Sequence, residues 1–204
     1  APWQKGEFGA SKTGPAEVSS CGGCKSGLSI FTGAFTCYQL FGKLKPDSSS
    51  IMPKIEKATE EHLADIVAII NAGATSVRKD KEFANWRSYL PAFEAMLAAP
   101  EMDIYVVFND AGEVVGTYQI HFLKGLAFQG RPRVELESVH VRADQRGTGI
   151  GRMMMDHAEQ LAREVNACLV QLTSNREREG SHHFYKRLGY DQSHLGYKKM
   201  LLAE

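Results

Sequence analysis

A strand, a glycine-rich loop and an amphipathic helix follow one another without a break between residues 134 and 165, and few folds accommodate that succession. Val134 to Val141 reads as a strand, Arg142-Ala-Asp-Gln145 continues it, and Arg146-Gly147-Thr148-Gly149-Ile150-Gly151 comes next. Met154, Ala158, Leu161 and Val165 then recur at spacings of 4, 3 and 4, which puts them on one face of a helix over about 149–165. Three glycines in five positions let the backbone come close to a bound group, because glycine has no Cβ. Amides at a helix start have no partner inside the helix and favour negative charge. Arg146 and Arg152 add guanidinium donors suited to phosphate. A cofactor with a pyrophosphate is the expected occupant. A P-loop needs Lys and then Ser or Thr after its last glycine, where this chain has Arg152 and Met153. A dinucleotide fingerprint needs Gly-x-Gly-x-x-Gly after the first strand of a βαβ unit. Here the spacing is x-Gly-x-Gly-x-Gly and the loop comes late in the chain.

The surrounding text has the periodicity of a mixed α/β layer fold. Strands are expected at Ile55 to Ala58, Met102 to Phe108, Val114 to Leu123, Leu169 to Thr173 and Tyr197 to Leu202. A helix over about 60–71 has Thr59 as N-cap and Leu63, Ile66, Val67 and Ile70 on its apolar face. A second helical stretch, about 82–98, carries Trp86, Tyr89, Leu90, Phe93 and Met96, with Pro91 breaking it or starting a new segment. Asn109-Asp-Ala-Gly112 is a hairpin turn. Residues 181–188 are helical and stop at Gly189. The expected order is β-α-α-β-β-β-α-β-α-β.

Composition shifts near residue 50, from Gly-, Ser- and Thr-rich text to regular periodicity. We read 1–51 as an N-terminal extension, vector-derived or flexible, and 52–204 as the folded domain. Cys21-Gly-Gly-Cys24 has the spacing of half a zinc site, but only Cys37 lies near and a site needs four ligands; no metal is expected. The apolar stretch 28–41 starts too far from the N-terminus for a signal peptide. A disulfide-built domain would spread its cysteines, whereas Cys168 stands alone in the body; a reduced, cytoplasmic protein is expected. Formal net charge is zero, so the basic excess that nucleic acid binding calls for is missing. No run approaches the ~20 apolar residues of a membrane helix.

The loop and its flanks resemble the GNAT superfamily of N-acetyltransferases. Arg146-Gly-Thr-Gly149-Ile-Gly151 matches that family's Arg/Gln-x-x-Gly-x-Gly/Ala motif, Glu137-Ser-Val-His-Val141 resembles its fourth strand, and Phe184-Tyr185-Lys-Arg-Leu188-Gly189-Tyr190 resembles its Phe-Tyr-x-x-Leu-Gly-Phe segment. Leu172-Thr-Ser-Asn175 and Ser193-His-Leu-Gly-Tyr-Lys198 resemble a bacterial subgroup without characterised substrates. The resemblance implies a mostly antiparallel twisted sheet, flanked by helices, whose fourth and fifth strands splay apart. It implies acetyl-CoA as cosubstrate. Backbone groups of Val139, His140 and Val141 would pair with the pantetheine arm. Gly147, Thr148, Gly149, Ile150 and Gly151, with Arg146 and Arg152, would hold the pyrophosphate. Asn175 resembles the family's cofactor-contacting Asn, but it stands ten residues before Tyr185, farther than in many members, with Arg176-Glu-Arg-Glu-Gly180 as added chain. A homodimer is left open.

Acetyl transfer to an amine needs a group to take the ammonium proton, stabilisation of the oxyanion, and a proton for the departing thiolate. Glu135 and Glu137 are the candidate bases; by alternation they share a face with Val139 and Val141. Glu135 resembles, by spacing, the glutamate of histone-acetylating members, and Glu137 the acidic residue of small-molecule members. Either one alternatively holds the substrate cation or is a solvated strand carboxylate. His121 and His140 are secondary candidates. Tyr185 resembles the family's acid, placed to protonate the sulfur. Trp86, Tyr118, Gln119 and Phe128 are expected to line the acceptor pocket. The acceptor is expected to be a small-molecule amine or amino acid, with a protein or peptide amine, or a silent acetyl-CoA-binding module, as alternatives.

Overall fold

Asn109 closes the hairpin at the heart of the sheet. Its side-chain oxygen accepts from the N–H groups of Ala111 and Glu113 at 3.0 and 2.9 Å, and Gly112 takes a φ of +76° that glycine adopts without strain. The turn joins β2 (Met102–Phe108) to β3 (Val114–Leu123), with the bounds expected from the sequence. The structure is a computed structural model that describes residues 53–201. The 1–51 extension, its Cys21-Gly-Gly-Cys24 pair and its apolar stretch lie outside the described residues.

β1 (Lys54–Lys57) runs antiparallel to β2, and β4 (Arg133–Val141) antiparallel to β3. β5 (Val170–Leu172) lies parallel to β4, giving one sheet in the order β1-β2-β3-β4-β5. The helices are α1 (Leu63–Ala72), α2 (Ser76–Lys79), α3 (Leu90–Ala98), α4 (Ile150–Glu164) and α5 (Glu179–Arg187). The period-2 geometry of β2 sends Ile104 and Val106 to one face and Tyr105 and Val107 to the other. On the first face they meet Leu63, Ile66, Val67 and Ile69 of α1 and Phe93 of α3. On the second they meet Ile150, Met154, Met155, Ala158 and Ala162 of α4, together with Val115, Tyr118, Ile120, Val134 and Leu136. The sheet is therefore a shared middle layer with an apolar core on each side.

β4 departs from simple alternation. Thr117 pairs with His140 and Gln119 with Glu137, so two steps along β3 match three along β4. The extra residue is a β-bulge, and Ser138 within it takes a φ of +50°. Past the bulge the faces exchange. Val134 and Leu136 pack on the α4 core before it, and Val139 and Val141 pack on that same core after it. The expected sharing of a face by Glu135, Glu137, Val139 and Val141 is thus corrected: His140, not the two valines, continues the face of the glutamates.

Three further expectations are revised. Residues 82–85 are not helical; Trp86–Tyr89 form a 3-10 turn and Pro91 sits in the first turn of α3, where its missing N–H costs nothing. α2 was not anticipated. Residues 197–201 form no strand, and Leu195, Tyr197 and Leu201 are exposed; a strand needs a neighbour, and none pairs with this segment among the described residues.

Gly73, at the end of α1, marks a close approach between α1 and β4. A Cβ built there would collide with the His140 ring, only 2.7 Å from its Cε1, and that ring is buried without room to retreat. Gly73→Ala is expected to lower the unfolding free energy in urea by about 1–3 kcal/mol, the usual cost of overpacking, and the added substitution His140→Ala is expected to restore part of the loss. Wild-type stability in Gly73→Ala would show that the two elements are not in contact.

Candidate active site

The N-terminus of α4 is open in the way an anion requires. Gly147 and Gly149 take φ values of +80° and +96°, and a Cβ on either would meet nothing within 4 Å. The N–H groups of Gly147 through Arg152 find no backbone carbonyl among the described residues. Thr148 Oγ1 braces the loop by donating to the Gln145 carbonyl at 2.7 Å, and Arg146 Nε donates to the Val141 carbonyl at 3.2 Å. Arg152 faces Asp156 one turn on, at 3.4 Å. Gly151 serves packing instead. Its Cα lies against Phe184, whose ring would be 3.3 Å from an added Cβ. That contact docks α5 against the start of α4.

The loop is continuous with a free strand edge. β5 pairs only with Val134, Glu135 and Leu136. From Glu137 to Val141, β4 has β3 on one side and, among the described residues, no strand on the other. This is the expected splay between β4 and β5, and the bulge at Ser138 lies within it. Val139, His140 and Val141 lie along that stretch, and the Val141 carbonyl accepts from Arg146 Nε.

Side chains gather around the splay. Glu135 Oε2 accepts from Gln171 Nε2 at 3.2 Å, within the paired part of β4 and β5. Glu137 lies one residue past the pairing, exposed, with His121 Nε2 3.6 Å from its Oε2. That nitrogen is buried and lacks a hydrogen bond. Tyr185 packs against the α4 core beside Phe184 and Tyr190. Burial raises its pKa, and the guanidinium of Arg178 works against that rise; its hydroxyl stays protonated at neutral pH.

His140 is only 6% exposed. Burial first, then the guanidiniums of Arg178, Arg78 and Arg146, hold its imidazole down at about 4. It is neutral at physiological pH and is wedged against Gly73. Above it, two connections meet. Arg178, in the turn before α5, donates through Nη2 to the Gly73 carbonyl. Asn175 Nδ2 donates to Thr75 Oγ1 at 3.2 Å, its own side-chain oxygen accepts from the Glu177 N–H, and His182 Nε2 lies 2.9 Å from its carbonyl. Asn175 thus joins two loops across the splay.

Of the four residues expected to line the acceptor pocket, Tyr118 does not. It is 1% exposed, lies in the α4 core and has its hydroxyl 2.5 Å from His157 Nδ1. Its position on β3 puts it on the face opposite His140, which alternation broken by an unseen bulge could not reveal. Gln119 is partly exposed beside Glu137, Trp86 packs on the α1 core, and Phe128 is exposed on the β3–β4 loop. Arg178 was not anticipated; the added segment 176–180 was the available signal. Among the described residues no three His, Cys, Asp or Glu side chains gather as metal ligands, and no helix is long and apolar enough to cross a membrane.

Comparison with known proteins agrees with this geometry. The model of the acetyltransferase (GNAT) family matches residues 63–190. The chain belongs to the GNAT acetyltransferase family. The aminoalkylphosphonate N-acetyltransferase of Salmonella typhimurium is 29% identical over 153 residues, which cover 74% of this chain and 94% of that one. Among solved structures, a Bacillus halodurans protein described as a transcriptional regulator is similar with a TM-score of 0.68 and 30% identity, covering 73% of this chain and 99% of that one. Glucosamine-6-phosphate N-acetyltransferase of Arabidopsis thaliana shares the fold, with a TM-score of 0.61 at 16% identity over 73% of this chain and 98% of its own. The GNAT protein is therefore an acyltransferase, with the mixed sheet and parallel β4–β5 pair of its fold.

The neutral imidazole has a consequence for stability. His140 titrates at about 4 when folded and near 6.5 when unfolded, so the unfolded chain takes up the proton first as pH falls. Its stabilising contribution is complete above about pH 6.5 and is lost as pH drops toward 4, on the order of 2–3 kcal/mol. His140→Gln cannot titrate and is expected to flatten the urea-unfolding free energy over that window. Equal pH slopes in the two proteins would contradict the assignment.

Proposed function

We propose that this GNAT protein transfers the acetyl group of acetyl-CoA to the primary amine of a small molecule, by direct attack in a ternary complex, and that residues 52–204 form the catalytic domain. The observation that carries the reading is the continuity of the site. Unpartnered amides at the start of α4 run into the unpaired edge of β4, which ends beside Glu137. The amides from Gly147 to Gly151, with Arg146 and Arg152, fit a pyrophosphate. The edge at Val139, His140 and Val141 fits the amide-bearing pantetheine arm, in the manner of an added strand. Bound acetyl-CoA supplies the activated acetyl thioester. The curated relative that acts on aminoalkylphosphonates supports a small amine over a protein as acceptor.

The residues divide the proton work. Glu137 is the carboxylate we assign as base, because it lies past the last β4–β5 pair and is exposed, whereas Glu135 is engaged by Gln171. Glu137 takes the ammonium proton at its carboxylate oxygen, and Glu135 adds negative potential on the same face. Tyr185, kept protonated by burial, donates its hydroxyl proton to the leaving thiolate. No nucleophile on the protein is needed, and Cys168, half-buried beside Pro132 with its N–H bonded to that carbonyl, stays outside the reaction.

Two measurements test this. Thr148→Glu places a carboxylate among the loop amides without altering the positive-φ glycines, and is expected to weaken acetyl-CoA binding by calorimetry at least about tenfold, given the worth of charged hydrogen bonds. Unchanged affinity would remove the loop as the pyrophosphate site. Tyr185→Phe is expected to lower kcat in a free-thiol assay by about 10²-fold, the scale of general acid catalysis, with little change in KM. Wild-type turnover in that variant would remove Tyr185 as the acid.

A further inference from the structure

We infer that the acceptor carries an anionic group on a short chain, a phosphonate, phosphate monoester or carboxylate, and that Arg178 and Arg78 hold it above His140. This rests on the acetyltransferase reading and adds to it a substrate class and two specificity residues.

Arg178 stands in the turn between β5 and α5, at the residue before that helix. It is half-buried, and among the described residues its guanidinium has one hydrogen-bond partner, the Gly73 carbonyl. No carboxylate pairs with it among those residues. A guanidinium so placed favours an anion, because burial removes the water that would otherwise screen it. Its bond to the Gly73 carbonyl sets it beside His140, whose ring lies against Gly73, and its charge acts on both His140 and Tyr185. The Asn175–Thr75 bond pins the same turn to the α1–α2 connection.

Arg78 lies on α2, whose N-cap Thr75 takes the Asn175 bond. Its Nε donates to Glu82 Oε1 at 2.7 Å, and Tyr89 donates its hydroxyl to the other oxygen of Glu82 at 2.7 Å. This backing fixes the guanidinium in place. Its charge also acts on His140. Arg78 Nη2 also pairs with Glu82 Oε1 at 2.5 Å. Arg178, with no carboxylate of its own among the described residues, and Arg78, on the segment that the Asn175–Thr75 bond ties to it, together suit a group with several acceptor oxygens.

The opposite charge lies on the same face of the sheet. The bulge at Ser138 puts His140 in line with Glu135 and Glu137, and the β3 partners of His140 and Glu137 are Thr117 and Gln119, two residues or about 7 Å apart. An ammonium over the carboxylates and an anion under the arginines then belong to one small molecule.

The test compares thiol release with 2-aminoethylphosphonate and with propylamine, its neutral counterpart, in the wild type, Arg178→Met and Arg78→Met. The wild type is expected to prefer the phosphonate by at least about tenfold in kcat/KM, and each variant is expected to reduce that preference about tenfold or more, mainly through KM. β-Alanine shows whether a carboxylate serves equally. Arg178→Lys, which keeps the charge and loses the fork, is expected to retain part of the preference. Equal use of both amines by the wild type, or an unaltered preference in both Met variants, would overturn the proposal. Calorimetry with methylphosphonate separates it from the acetyl-transfer reading. Binding that is lost in Arg178→Met supports the anion site even if no amine is acetylated, and no binding at millimolar concentration counts against it even if propylamine is a substrate.

Discussion

One extra residue in β4 organises the rest of this site. At Ser138 the chain accepts a positive φ, which for a residue with a side chain costs on the order of 1 kcal/mol. The surrounding ladder enforces it: Glu137 remains paired with Gln119 on one side and His140 with Thr117 on the other. The bulge delivers two things at once. It returns Val139 and Val141 to the α4 core, and it turns His140 toward α1 and the two loops above it. Without it, His140 would point into the α4 core and Val139 would lie under the arginines.

The polar side of the site depends in turn on a small, close contact. Gly73 lets the end of α1 approach His140 within a distance that any side chain would forbid. Its carbonyl is then available to Arg178. Burying an imidazole among guanidiniums disfavours its charged form, so the contact survives because His140 remains neutral. A charged His140 would oppose the guanidinium of Arg178 beside it, and a neutral one does not.

Much of the fold was legible because its signals are local. β2, its turn and β3 follow from alternation around Asn109 and Gly112, and α4 follows from a helical period behind a glycine loop. The loop between β4 and α4 was legible for the same reason, as a short motif, and the splay followed from the family resemblance that the motif carried. The bulge was not, because Glu-Ser-Val-His reads equally well as an unbroken strand, and the shift exists only in the pairing with β3. Tyr118 was misplaced for a related reason: which face of β3 is core depends on what packs against it. The strand expected at 197–202 failed because alternation creates a strand only where a neighbour accepts its hydrogen bonds.

The same division explains why the acetyl donor side is easier to read than the acceptor side. The donor loop works through main-chain amides, so it leaves a mark as glycines at fixed spacing within a single segment. The proposed acceptor side draws its side chains from separate places: Arg78 on α2, Glu137 on β4 and Arg178 beyond β5, with Arg178 reaching a carbonyl 105 residues away in sequence. Such an arrangement has no local spacing to recognise. Donor recognition therefore resides in the backbone of the fold, and acceptor recognition in side chains attached to it, which is how one scaffold can keep its chemistry while its amine changes.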